Sequence, residues 1–262
     1  MMRLFHNPVS SCSQKVRMVL HEKNLSFDSE VLDLQRGDQF NEDYVKLNPN
    51  AVVPTIEDDG RIIIESTLIN EYLDDAYPGI DLRPSNAAER FNMRLFCKKI
   101  DDALHPACGA LTYAIGARPA VLRKSAEERE TLINQIPNAT RREARRSVIE
   151  RGVYAPEVKS AFNVHREVFS LADNLLANNA WLSGNDFSLA DCALLPYVLR
   201  VDHLMMTDEI TSRDNLARWY GAIKERQSYQ KAVLDWLPEA VVSAFRKAGE
   251  QAAGDLKQAL AK

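Results

Sequence analysis

The 262-residue sequence predicts an α+β protein. A small sheet-and-helix domain occupies residues 1–80, and an all-α helical bundle follows over 88–262. Three observations predict this. Strand-like runs cluster in the first third of the chain. A tight turn at Asp58-Asp59-Gly60 joins two of them as a hairpin. From Ala88 onward the apolar residues recur at helical spacing.

Composition removes several functional classes. Lys and Arg number 33 against 37 Asp and Glu, for a net charge of −4, which gives no basic footprint for nucleic acid. No apolar run reaches the length of a membrane span. Met1-Met2-Arg3-Leu4-Phe5 lacks the apolar core of a signal peptide. Cys12, Cys97, Cys108 and Cys192 are scattered without metal-ligand spacing. A reduced, cytoplasmic setting and no metal are therefore expected.

Met2 to Phe5 reads as a first strand. His6-Asn7-Pro8-Val9-Ser10-Ser11-Cys12-Ser13 is a loop rich in turn and capping residues. An amphipathic helix follows through Val16, Met18, Val19 and Leu20, ending near Lys23-Asn24. Phe27 to Leu34 reads as a second strand, and Gly37 to Val45 as a loop with a short helix. Pro54 cannot donate to a ladder, so it belongs at the entrance of the strand Thr55-Ile56-Glu57. Arg61 to Ile64 returns. Ser66 is the expected N-cap of a helix with Leu68, Ile69, Tyr72 and Leu73 on its apolar face. The order β-α-β-loop-β-β-α is a thioredoxin-like arrangement.

The second domain begins with an apolar stripe through Phe91, Leu95, Ile100, Leu104 and Leu111, broken at Arg118-Pro119. Ser125 to Gly152 is highly charged, and its glutamates interleave with Arg141, Arg142, Arg145 and Arg146. It reads as a solvated helical excursion, with a site for an anionic partner as the sharper alternative. Glu157 to Ala177 is a well-patterned helix. Ser188 and Asp191 have the spacing of a capping box before an almost wholly apolar helix, which belongs at a domain centre.

Four stretches, in order, resemble the cytosolic glutathione S-transferase superfamily: Ser10 to Arg17; Asn48-Pro49 with Val53-Pro54; Glu65-Ser66 before a helix; and Leu182-Ser183-Gly184 through Asp191. The Ser10-Cys12-Ser13 spacing and the charged insert also resemble bacterial tetrachlorohydroquinone reductive dehalogenases. Ser13-Gln14-Lys15-Val16-Arg17 resembles the ganglioside-induced differentiation-associated transferase-like proteins. The resemblance implies glutathione as co-substrate, a small hydrophobic electrophile as its target, and a homodimer.

It also implies a site. Glu65 and Ser66 at a helix N-terminus suit the γ-glutamyl end. A cis Val53-Pro54 bond leaves the Val53 backbone to pair with the cysteinyl part. Val52 stands where relatives often carry a lysine, and Gln39 where they reach the glycine carboxylate. The thiol titrates near 8.5 when free, so lowering it by roughly two units needs ~2.7 kcal/mol of thiolate stabilisation. Ser10 occupies the position of the family's catalytic serine, with Ser11 and Ser13 as rivals. Cys12 opens a second chemistry, in which it resolves a glutathionyl conjugate through a mixed disulfide. Each serine also suits a plain N-cap, and Cys12 a structural thiol. Pro8, Ser11, His105, Cys108, Tyr113 and Met205 are the expected electrophile walls, in a pocket between the domains. His105 equally suits a structural role, and Asp101 or Asp102 is a candidate contact to a partner subunit's glutathione. The readings carried forward are a glutathione transferase, a reductive dehalogenase or thiol transferase using Cys12, and a non-catalytic glutathione-binding protein.

Overall fold

The computed structural model describes residues 2–261. Strands β1 (Arg3–His6), β2 (Asp28–Val31), β3 (Thr55–Asp58) and β4 (Arg61–Ile64) form one sheet in the order β2-β1-β3-β4. β1 and β2 are parallel, as a crossover through helix α1 (Ser11–Glu22) requires. The antiparallel pairs align Leu4 with Ile56 and Ile56 with Ile63. Leu4 and Ile56 are fully buried, so this register places the core face of the sheet under α1 and α3 (Ser66–Ala76). The hairpin turns at Asp59 and Gly60, both with positive φ (47° and 78°), as a two-residue turn between twisted strands needs.

Helix α2 (Glu42–Leu47) lies between β2 and β3. Then come α4 (Ala87–Lys99), α5 (His105–Leu111), α6 (Arg118–Leu122), α7 (Ala126–Asn134), α8 (Ala139–Arg151), α9 (Pro156–Leu176), α10 (Leu189–His203), α11 (Asp208–Thr211), α12 (Asp214–Lys224), α13 (Gln227–Tyr229) and α14 (Glu239–Ala261). The chain divides into two compact units. The first holds the residues up to Lys98 with Ala172–Pro196 and Asn215–Leu237. The second holds Lys99–Leu171, Tyr197–Asp214 and the residues from Pro238 onward.

The centre of the helical part of the first unit is Asp191. It is fully buried, and its carboxylate accepts from Leu182 N (3.0 Å), Trp219 Nε1 (2.8 Å), Ser188 N (2.9 Å) and Ser188 Oγ (2.8 Å). Asp191 therefore closes the N-terminus of α10, as its spacing from Ser188 predicts, and also ties the 182 loop to α12. Burial raises its pKa, and these four donors oppose that rise.

Three expectations need correction. Ser66 is the first helical residue of α3, and the N-cap is Glu65. The stripe expected from Phe91 to Leu111 does not lie on one buried helix face. Phe91 and Leu95 are 63% and 56% exposed, and π-helical turns at Ile100–Leu104 and Thr112–Gly116 interrupt the run. A π turn inserts one residue into the ladder and rotates everything after it, so a 3.6-residue stripe does not stay on one face. The second strand is also shorter than its sequence signal, and all four residues of β2 are exposed.

Candidate functional site

Helix α1 starts from Ser10, whose Oγ accepts the Ser13 N–H at 3.3 Å. That bond uses an acceptor site of the hydroxyl. Among the described residues nothing accepts the Ser10 proton. Ser13 is turned inward: it is fully buried, and its Oγ accepts the Asn7 N–H at 3.2 Å. Ser11 is buried in the first turn, and Cys12 is half-buried beside it. The four candidates thus divide into a capping hydroxyl with a spare proton, an inward structural hydroxyl, and two intervening side chains.

The loop ahead of Ser10 is held from behind by Arg17, which the sequence reading left unassigned. Its guanidinium is fully buried. It donates to Asn7 O (3.2 Å), Pro8 O (3.0 Å) and Ala232 O (2.7 Å), and meets His6 Nδ1 at 2.8 Å. His6 Nδ1 must accept that bond, so its proton sits on Nε2, 2.8 Å from Ser29 Oγ. Burial and the adjacent Arg17 charge push the His6 pKa down to about 3, and burial lowers Arg17 to about 9. Among the described residues no carboxylate pairs with Arg17. Trp236 covers it, with the guanidinium carbon 5.6 Å from the ring centroid. Lys15 is also fully buried and donates to Thr67 Oγ1 at 2.9 Å, tying α1 to the first turn of α3.

The Val53–Pro54 peptide bond is cis. Asn48 Nδ2 donates to Val52 O (3.0 Å) and Thr55 Oγ1 (3.1 Å), and Tyr44 OH donates to Val52 O at 2.5 Å. The Val53 side chain packs with Leu32 and Tyr44. Its backbone N–H and C=O have no hydrogen-bond partner among the described residues. The side chain is therefore committed to the core while the main chain offers one donor and one acceptor.

Glu65 has φ 69° and ψ 108°, a conformation that non-glycine residues adopt rarely and hold only when their surroundings impose it. No side chain caps α3, so its first amides remain available to a carboxylate. Glu65 Oε1 accepts from Asn50 Nδ2 at 3.2 Å, which orients the side chain. Gln39 lies in the short 3-10 turn Asp38–Phe40, and its buried Oε1 has no partner. An orphaned carboxamide of this kind fits a polar ligand, as acceptor or, flipped, as donor. The unpaired Val53 backbone, the uncapped α3 and the orphaned Gln39 amide suit an extended peptide with terminal carboxylates.

Pro8, the one expected electrophile wall in the first unit besides Ser11, accepts from Arg17 and from Gln14 Nε2 (3.4 Å) through its carbonyl. The other four belong to the second unit. His105 is exposed, with Nδ1 3.2 Å from Tyr197 OH. Cys108 is buried, its Sγ 3.9 Å from Thr112 Oγ1. Tyr113 sits in the Thr112–Gly116 π turn, and the Arg145 guanidinium carbon lies 3.1 Å from its ring centroid. Met205, at φ 59° and 43% exposed, lies in the turn that follows α10. Asp101 and Asp102 both lie in the Ile100–Leu104 π turn, Asp101 half-buried and Asp102 exposed. No helix among the described residues is long and apolar enough to cross a membrane.

Comparison with known proteins gives the family. The family model "Glutathione S-transferase, N-terminal domain" matches residues 9–76, and "Glutathione S-transferase, C-terminal domain" matches 138–227. The chain is 26% identical to glutathione S-transferase TCHQD of Arabidopsis thaliana, over 88% of this chain and 89% of that one. It is also 26% identical to tetrachloro-p-hydroquinone reductive dehalogenase of Sphingobium chlorophenolicum, over 87% and 94%. Its fold matches the crystal structure of β-etherase LigF from Sphingobium sp. strain SYK-6 with a TM-score of 0.79 at 24% identity, covering 88% of this chain and 98% of that one. With both domain models in order on one chain, and the sheet, cis-proline and helix N-termini that the resemblance called for, this protein belongs to the glutathione S-transferase superfamily.

Proposed function

We propose that this protein is a glutathione transferase that ionises the glutathione thiol and directs it at a small hydrophobic electrophile. The observation that carries this reading is the Ser10 hydroxyl. Its acceptor site is used by Ser13 N, so its proton is left to donate to sulfur. The N-terminus of α1 adds a partial positive charge at the same place. Arg17 fixes the Asn7-Pro8 backbone from which Ser10 projects. The amides at the start of α3 and the Glu65 carboxylate hold the γ-glutamyl end. The Val53 backbone pairs with the cysteinyl part, beside Val52 and Pro54, and Gln39 meets the glycine end. Glutathione supplies the thiol, and nothing in this chemistry calls for a metal. The protein then acts in the cytoplasm as a homodimer. The exposed Leu68, Phe91 and Leu95 support that assembly.

A glutathione-affinity column followed by turnover of 1-chloro-2,4-dinitrobenzene tests this reading. Retention with turnover is expected. Retention without turnover of any electrophile makes the protein a glutathione binder and refutes catalysis.

A second reading, reductive dehalogenation or thiol transfer, is favoured by the half-buried Cys12 in the first turn of α1. There the Cys12 thiolate attacks the glutathione sulfur of a glutathionyl conjugate. A mixed disulfide forms, the carbon–sulfur bond breaks, and the carbon leaves with the electron pair and takes a proton. A second glutathione thiolate then frees Cys12 and leaves as glutathione disulfide. Mass spectrometry of the quenched protein detects the mixed disulfide if this chemistry operates. Its absence, with Cys12→Ser fully active, excludes it.

A further inference from the structure

The imidazole of His6 is fixed by four neighbours, all in the first unit. His6 ends β1, its main chain is paired with β2, and its side chain is fully buried. Trp236 and Phe27 meet the ring edge to face, with centroids 4.7 Å and 6.4 Å away. Arg17 Nη1 donates to Nδ1 at 2.8 Å, and Ser29 Oγ lies 2.8 Å from Nε2. Ser29 is exposed on β2, the outer strand of the sheet. A short chain of hydrogen bonds thus runs from the sheet edge through His6 and Arg17 to the loop that bears Ser10.

His6 has a distinct place in that chain. Of the four acceptors that Arg17 meets, three are the carbonyls of Asn7, Pro8 and Ala232, and His6 Nδ1 alone is a side chain. A bond from a charged donor is roughly twice as strong as a neutral one, but only while the acceptor keeps its lone pair. In the other tautomer of His6, an N–H would point at the guanidinium N–H and the contact would turn repulsive. Ser29 excludes that tautomer by accepting the Nε2 proton. Burial and the Arg17 charge hold His6 neutral at working pH, with its pKa pushed down to about 3. The turn of the Arg17 guanidinium is therefore set by one imidazole nitrogen. The consequence reaches Ser10 through Asn7, whose carbonyl takes both Arg17 Nη1 (3.2 Å) and Ser10 N (3.3 Å).

The geometry points to His6 as a positioning residue for the thiol chemistry: its Nδ1, kept as an acceptor by Ser29, sets the turn of the Arg17 guanidinium and so the direction of the Ser10 hydroxyl. The last link rests on the reading that Ser10 donates to the glutathione sulfur; the fixed tautomer and the Arg17 anchor do not.

Three variants of the full chain test this: His6→Leu, which removes the acceptor; His6→Asn, whose Oδ1 can stand where Nδ1 stood; and Ser29→Ala, which frees the tautomer. Nitrogen NMR of the histidine rings, with the His6 signal identified by its loss in His6→Asn, should show the proton on Nε2 in the parent and both tautomers in Ser29→Ala. A parent ring protonated on Nδ1 overturns the proposal. The second readout is the thiolate titration of bound glutathione. His6→Leu should leave about three- to tenfold less thiolate at a given pH below the transition, with glutathione affinity within about twofold of the parent, because Val53 and the α3 amides are untouched. With 1-chloro-2,4-dinitrobenzene, kcat should fall by a similar factor while KM for glutathione changes little. His6→Asn should restore most of both. Should His6→Leu fail to fold, Ser29→Ala carries the same readout, with the thiolate fraction lowered in the same direction by a smaller factor. A drop in stability with the titration and kcat unchanged, or a His6→Asn variant no better than His6→Leu, overturns the positioning role. Ser10→Ala separates the two readings. If it shifts the titration and His6→Leu does not, the Ser10 reading stands and the His6 role falls. If Ser10→Ala is without effect while His6→Leu lowers kcat and His6→Asn restores it, the Ser10 reading falls and His6 positions a different donor.

Discussion

Replacing Arg17 by leucine removes four hydrogen bonds at once: those to Asn7 O, Pro8 O and Ala232 O, and the one to His6 Nδ1. Hydrogen bonds to a charged group contribute about 1.5–3 kcal/mol each. Two of the carbonyls keep a second donor, since Ser10 N also reaches Asn7 O and Gln14 Nε2 reaches Pro8 O. Removing the guanidinium also relieves a buried cation whose pKa burial has lowered to about 9. The net cost is then roughly 3–5 kcal/mol, in line with breaking other buried charged networks and a large part of an ordinary domain's stability. The loop that bears Ser10 loses its rear anchors in the same substitution. A shift of about 1 Å in a reacting group costs on the order of a hundredfold in rate. Urea unfolding at neutral pH reads the first effect, and kcat/KM for glutathione reads the second. Arg17→Lys should recover only part of either, because one ammonium cannot span three carbonyl directions. If Arg17→Leu stays within about 1 kcal/mol of the parent with unchanged kcat/KM, the loop is not held from behind as described.

Two further substitutions test the packing. His165 is buried, Nδ1 donates to Ala161 O at 2.7 Å, Nε2 has no partner, and burial lowers its pKa to about 4. The folded state keeps it neutral while the unfolded chain binds a proton below about 6.5, so stability falls as pH drops from there towards about 4. His165→Phe removes that dependence, and relative to the parent it should gain about 2 kcal/mol on going from pH 7.5 to pH 5. Denaturant midpoints at the two pH values check this, and parallel profiles would contradict it. A Cβ on Gly249 would overlap the Leu204 carbonyl, a backbone group that cannot swing away. Gly249→Ala should therefore cost about 2–4 kcal/mol and lower Tm, unlike Gly254→Ala, where the space is open.

Local signals carried much of the fold into the sequence. The Asp59-Gly60 turn, Pro54 at a strand entrance and the Ser188–Asp191 pair each name a geometry within four residues, and each is found. The misses share one cause. Lys15 and Arg17 look like the solvent face of α1, yet α1 is covered on every side, and the carbonyl that Arg17 meets at Ala232 lies 215 residues away. Phe91 and Leu95 look like core and face outward. Tyr113 and Arg145 meet only because a π turn and a distant helix bring them together. Glu65 takes the N-cap from Ser66 through a positive φ that no residue preference predicts. Which hydroxyl caps α1 and which turns inward was likewise not legible, because Ser10, Ser11 and Ser13 are chemically alike and differ only in what each already binds.

The central claim is that the Ser10 hydroxyl stabilises the glutathione thiolate. Thiolate absorbance of the glutathione complex, titrated against pH, measures it directly. The parent complex should titrate roughly two units below the free thiol's ~8.5. In Ser10→Ala the titration should move most of the way back, with glutathione affinity little changed, while Ser13→Ala should chiefly lower stability. An unshifted titration in Ser10→Ala contradicts the account and passes the role to Ser11 or Cys12.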